Sequence, residues 1–215
     1  MATPIPTTGP ARAASRPVVG PGSYDRRMPD AFTVLWTHDT CRALRKEGRV
    51  GERPPVAFGG VHTSLPAWSG ARPGDEVYAV HVNRCEVFVV SRLRVLDTER
   101  GDCCGAAPAT WRDPAFPGHQ DWWMLGAGGC GATPVHVDAT PVTFDTRIPG
   151  DVLHRLTWRN RRGRTRGLKY LVDGRLEHSI SLQGFYRLTP GSADELAAVV
   201  DAAAPHDVRP AGRFG

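Results

Sequence analysis

The stretch PGDEVYAVHVNRCEVFVVSRLRVL, residues 73–96, decides what kind of fold this chain can make. It opens on a Pro-Gly-Asp turn, runs through EVYAVHV, breaks at Asn83-Arg84, and returns with apolar side chains at Val87, Val89, Leu93 and Val95. A period of two puts these four on one face of a pleated strand. β-branched and aromatic residues pack well on such a surface. Two such runs joined by two residues read as an antiparallel hairpin, with Asn83-Arg84 as its tight connection. This hairpin is expected at the centre of a sheet.

Outward from it, residues 32–36 (FTVLW) form a short run of β formers. Thr37 or Asp39 can then cap a helix over about 40–47, closed by Gly48. Residues 49–66 read as a loop, broken by Pro54-Pro55 and Gly59-Gly60. After the hairpin, 97–131 is irregular, and segments 135–144, 153–158, 167–172, 175–180 and 184–188 read as further strands, with Asp173-Gly174 a turn. Ser192-Ala-Asp-Glu195 fits a capping box ahead of a last helix over 195–204. Residues 1–28 lack apolar periodicity and 205–215 should fray, so both are expected to be flexible tails around one domain spanning 29–204. With 215 residues, 40% of them hydrophobic, the chain can bury one good-sized core. The class is α+β.

Charge is concentrated in one place. Arg155, Arg159, Arg161, Arg162, Arg164, Arg166 and Lys169 fall within fifteen positions, and no acid interrupts them between Asp151 and Asp173. Without these seven, the net charge of +5 becomes 20 basic residues against 22 acidic ones. Guanidinium pairs bidentately with phosphate, and Trp158 and Tyr170 beside the run offer rings to stack on bases. Nucleic acid is the partner such a field suits. The plainer alternative is a solvated hairpin loop, since 25 of the 27 basic residues are Arg throughout.

Several classes are disfavoured. There is no run of about 18 apolar residues for a membrane span and no apolar secretory leader, so a cytoplasmic protein is expected. Five cysteines in no framework spacing read as reduced thiols. Cys103, Cys104, His119, Cys130 and His136 are conceivable zinc ligands, yet no C-x-x-C or H-x-x-x-H pair is present, and no metal or cofactor is expected. No P-loop, G-x-S-x-G elbow or H-E-x-x-H occurs, which favours binding over catalysis.

Three segments, taken in order, resemble the PUA-like superfamily, specifically its YTH and EVE branch. Gly60-Val61-His62-Thr63-Ser64-Leu65-Pro66 is similar to a YTH loop reading Gly-Val-Trp-Ser-Thr-Leu-Pro. Asp121-Trp122-Trp123-Met124-Leu125 is similar to a later Trp-Val-Leu segment. Leu156-Thr157-Trp158 through Leu168-Lys169 to Asp173-Gly174-Arg175-Leu176-Glu177 resembles the closing part. The likeness spans about Phe32 to Leu188 and implies a twisted β-barrel with a few short flanking helices. Such barrels bury a flipped, modified base in an aromatic pocket.

The resemblance makes Trp123 the first choice for a pocket wall. The first cage tryptophan of YTH domains falls on His62, so a preference for methylated adenine is not carried over. His62 can stack on or hydrogen-bond to a base, and Thr63 and Ser64 can donate to it. Trp36, Trp68 and Trp122 compete as walls, with a core role the alternative for each. Asp39 and Asp138 can accept from an exocyclic amine; their dull alternatives are a helix cap and a strand-end charge. The function expected is a reader of a modified base, 5-methylcytosine in DNA by base flipping, with methylated DNA preferred over RNA as partner. A reader of modified RNA, or a metal-dependent nuclease or RNA-modifying enzyme using His62, His119 or Asp138, stands as the alternative. A protein-interaction module is a weaker third.

Overall fold

The computed structural model describes residues 28–59, 68, 70–98, 118–125, 133–160 and 162–204, the side chains of His119, Gln120 and Thr133 excepted. The expected tails lie, Met28 apart, outside them. Residues 73–96 do form the central hairpin, as β3 (Glu76–Asn83) and β4 (Glu86–Thr98). Its two-residue connection is Arg84-Cys85, one position later than expected. Both residues take positive φ, +50° and +66°, as a type I′ turn requires.

Around the hairpin stand β1 (Ala31–Leu35), β2 (Val56–Gly59), β5 (Thr133–Ala139), β6 (Thr157–Arg159), β7 (Thr165–Gly167) and β10 (Phe185–Leu188). They make one eight-stranded sheet in the order β2-β5-β4-β3-β1-β10-β6-β7. Among the described strands, only β1 and β3 pair in parallel. The short strands β8 (Leu171–Val172) and β9 (Arg175–Leu176) pair separately around Asp173-Gly174. The expected barrel does not close, because edge strands β2 and β7 do not pair with each other. Beside β2 packs a 3-10 helix, His119–Leu125, while β7 is exposed at all three of its residues.

A bulge divides the core. Ala79 faces Ser91 but Val80 faces Val89, which leaves Val90 as the extra residue on β4. The four residues read as one face are therefore split. Val87 and Val89 join Tyr78, Trp158 and Leu196 in one cluster; Leu93 and Val95 join Val90, Trp36 and Trp122 in the other. Each face of the sheet carries its own core.

Among the described residues, three helices cover these faces. α1 (His38–Lys46) starts two residues earlier than expected, with Thr37 Oγ1 accepting from the N–H of Thr40 at 3.2 Å. α2 (Gly150–Arg155) stands where a strand over 153–158 was expected. Val152, Leu153 and Leu156 are buried at helical spacing, and only Thr157–Arg159 is extended. α3 (Pro190–Ala203) begins at Pro190 behind Thr189, so Ser192 does not cap it. Ser192 is buried one turn in, its Oγ accepting from Thr157 N–H at 2.9 Å. A second 3-10 turn, Ser179–Leu182, precedes β10. No helix among the described residues is long and apolar enough to cross a membrane.

Candidate nucleic-acid interface

The basic run folds as the β6–β7 hairpin at the edge of the sheet. Asn160 builds its tip: the side-chain Oδ1 accepts from the N–H groups of Arg162 and Arg164, at 2.9 and 3.0 Å, while Gly163 takes the positive φ the bend needs. Arg162, Arg164 and Lys169 are exposed, and no acid pairs with them among the described residues. Arg166 lies 4.0 Å over the Tyr186 ring, a cation–π contact that holds the guanidinium without neutralising it.

Two members of the run are compensated. Arg155 bonds Glu195 at 2.8 Å and Asp151 at 3.1 Å, and these carboxylates raise its pKa while Arg155 lowers that of Asp151. Arg159 sits 3.7 Å from Asp30, a carboxylate shared with Arg187 at 3.3 Å. Arg161 lies outside the described residues. The field that remains open to a polyanion is thus Arg162, Arg164, Arg166 and Lys169.

Trp158 does not stack on a ligand. It is 2% exposed, in a strand only three residues long whose outward neighbours are Thr157 and Arg159. Tyr170 is the exposed ring beside the run, edge-on to His178 with ring centroids 5.2 Å apart. Tyr186, which props Arg166, was missed in the sequence; its place two residues before Leu188 in an alternating segment was the available signal.

The expected pocket residues scatter. Trp36 and Trp68 are core residues, and Trp68 stacks on Phe185, which stacks on Phe32. Trp122 is buried at 4% and Trp123 exposed at 44%, within a 3-10 helix rather than an extended segment. Arg49 lies over the Trp122 ring. That 3-10 helix packs on α1 and on β2, the far edge of the ladder from β7. Asp39 is exposed and ion-paired with Arg42 at 2.8 Å; Asp138 is exposed on β5, opposite Arg94. His62, Thr63 and Ser64 lie outside the described residues, as do Cys103, Cys104 and Cys130. No group of three metal-ligating side chains occurs among the described residues.

No family model matches the chain, and no curated protein does. Among solved structures, the crystal structure of ASCH from Zymomonas mobilis is similar over 78% of this chain and 94% of that one, at 12% identity and a TM-score of 0.38. A likeness at that level defines neither the family nor the function of this chain.

Proposed function

We infer that the protein binds nucleic acid, gripping the sugar-phosphate backbone with the β6–β7 hairpin. The observation that carries this is the asymmetry within the basic run: Arg162 and Arg164 project unpaired from a loop stiffened by Asn160, with Lys169 exposed just past β7, whereas Arg155 is neutralised by two carboxylates. A preformed cluster of unpaired guanidinium groups is what phosphate contact needs, and releasing counterions from the polyanion supplies the free energy.

The finer reading is a PUA-like reader of a modified base, with 5-methylcytosine in DNA ahead of modified RNA. Its support is the resemblance of residues 60–66 and 121–125, together with the exposed Trp123. Trp36, Trp68 and Trp122 are buried in the core, so among the described tryptophans only Trp123 is left to stack at such a pocket. Burying one methyl group contributes only about 0.8 kcal/mol. The preference for a methylated base is therefore modest.

The test is a binding panel of one oligonucleotide sequence as DNA and RNA, carrying methylcytosine, methyladenine or neither. Exchanging Arg162 and Arg164 for Ala should weaken every member alike and reduce the salt slope by about 2. Trp123→Ala should erase only the preference among bases. No binding at low salt to any member would overturn the nucleic-acid reading; equal binding of all members would overturn the modified-base reading alone.

A further inference from the structure

Tyr170 closes the basic run, and two features set it apart. The residue is 51% exposed, and its backbone holds a φ of +60°. Glycine takes that left-handed conformation freely, whereas for a bulky side chain it is a strained outlier. A buried ring would offset the strain by packing; an exposed one recovers little. The conformation is nevertheless fixed, with the N–H of Glu177 donating to the Tyr170 carbonyl at 2.9 Å. Strain kept at an exposed ring points to a use for the ring outside the fold.

His178 meets that ring at 82°. A perpendicular neighbour covers one face of a ring at most, so a half-exposed tyrosine in this arrangement leaves a face to a flat partner. Cations are tied to the same spot. Arg166 donates to the carbonyl of Ser181 at 3.5 Å, and the Ser181 hydroxyl donates to the carbonyl of Lys169 at 3.3 Å. Ser181 thus gathers the Arg166 head and the Lys169–Tyr170 backbone on one residue. Of the seven large apolar side chains exposed among the described residues, Tyr170, Val172 and Ile180 all fall between residues 170 and 180, so the ground beside the arginine tip is apolar as well as cationic. The next charged residue along the chain is Asp173, exposed like Glu177 after it, so the run of positive charge ends at the ring.

We propose that Tyr170 is a base-stacking platform and that the arginine hairpin therefore takes a single strand. This rests on the nucleic-acid reading and names the substrate class of the same site. A sugar-phosphate backbone alone has nothing to lay on an open ring, and an acidic peptide carries no flat ring beside each of its charges. A nucleotide presents both on one unit. Inside a duplex each base face is already stacked on its neighbours, so an interior base reaches Tyr170 only when it is unpaired. With its phosphates on Arg166 and Lys169, an unpaired nucleotide lays its base on Tyr170, and His178 holds the ring at its angle. Every base has such a face, so the contact selects the unpaired state rather than a sequence.

Oligothymidylate, oligouridylate, the duplex of oligothymidylate with oligoadenylate, and an abasic strand of equal length are titrated against the full chain. Tyr170→Gly, which removes the ring and accepts the left-handed backbone, should weaken binding of the unpaired strands about tenfold, as the loss of one stacked base implies. It should not weaken binding of the duplex or of the abasic strand, and Tyr170→Phe should bind all of them as the native protein does. A second measurement needs no variant: the Tyr170 ring protons of the native protein should shift upfield on adding an unpaired strand and stay in place on adding the abasic one. Failure of every ligand to bind overturns the nucleic-acid reading and this assignment with it. Binding of the duplex alone, an unmoved Tyr170 ring, or the same response of all ligands to Tyr170→Gly overturns the stacking platform and leaves the arginine grip standing.

Discussion

The indole N–H of Trp158 donates to the hydroxyl of Thr33 across 2.8 Å, with both side chains buried between β6 and β1. A ring that the sequence places beside seven cations is therefore a structural pin. Trp158→Phe leaves the Thr33 hydroxyl buried without its donor, which costs about 1–3 kcal/mol before any packing loss. Adding Thr33→Val should recover part of that, because removing both partners of a buried bond is cheaper than removing one. Denaturant unfolding of the two variants checks this. Oligonucleotide affinity of the folded Trp158→Phe protein should not change; a loss would mean that the indole reaches the ligand.

The basic run separates in the same way under salt. Arg155 is held by Glu195 and Asp151, so Arg155→Ala removes a compensated charge and should leave the salt slope of oligonucleotide binding where it was. Arg164→Ala removes an open one and should lower the slope by about 1. Equal slopes for the two variants would show that the carboxylates do not neutralise Arg155 when polyanion is present.

What was legible in the sequence was the hairpin over 73–96 and the position of the charged loop, because period-two alternation and a run of like charges are local signals. Asp75 shows why the Pro-Gly-Asp turn reads so clearly: its carboxylate accepts from the N–H of Arg72 and from that of Asp30, tying the turn to the start of β1. The face assignment failed at Val90, since one inserted residue inverts every side chain beyond it and nothing local marks it. Residues 153–158 misled because their spacing mixes the two periods, Leu153 and Leu156 lying three apart as in a helix and Leu156 and Trp158 two apart as in a strand, and the helix is decided by the burial of Val152, Leu153 and Leu156 in one cluster with Leu176 and Leu196. Trp36, Trp68 and Trp122 show a further limit. Burial of an aromatic ring is settled by long-range contacts, so residue type alone does not separate a pocket wall from a core.

Alkaline pH should find a weakness in the core. Burial pushes the Cys41 thiol up to about 12 from its ordinary 9.0, against a smaller opposing pull from Arg45, and burial likewise raises the Tyr78 phenol. In both cases the folded state holds the proton more tightly than the unfolded chain. Stability is full below the unfolded values and falls as pH rises from about 9, by at most about 1.4 kcal/mol per pH unit for each proton. Cys41→Ala should flatten this alkaline limb in denaturant titrations. The folded thiol should also resist alkylation at mildly alkaline pH while half-buried Cys85 reacts, as peptide mapping by mass would read.

His81 should act at the other end of the scale. Its pKa is lowered, by burial first and by Arg45 and His38 after, so the unfolded chain takes up the proton more readily. Stability is then full above the unfolded histidine value and declines as pH falls through it, until the folded value is reached. His81→Phe, which removes the titrating ring, should flatten this acid limb in denaturant titrations over a series of pH values.

The hairpin of β8 and β9 is seated by two glycines that meet backbone to backbone. A Cβ on Gly150 would stand 2.8 Å from the Cα of Gly174, and one on Gly174 would stand 2.9 Å from the Cα of Gly150. Neither contact involves a side chain that can swing away, so the first turn of α2 and the Asp173-Gly174 turn must separate to admit a methyl group. Gly150→Ala should cost about 1–3 kcal/mol, as overpacking does. Gly174→Ala should cost more, since its φ of +71° adds left-handed strain to the clash. The double variant should lose less than the sum, because the first methyl group already opens the gap the second would need. Leu176 N–H bonds the carbonyl of Cys85 and Arg175 that of Arg84, so the displaced turn should also loosen the β3–β4 connection. Hydrogen exchange at Leu176 in Gly150→Ala measures that coupling, and exchange as slow as in the native protein would show that the two turns move independently.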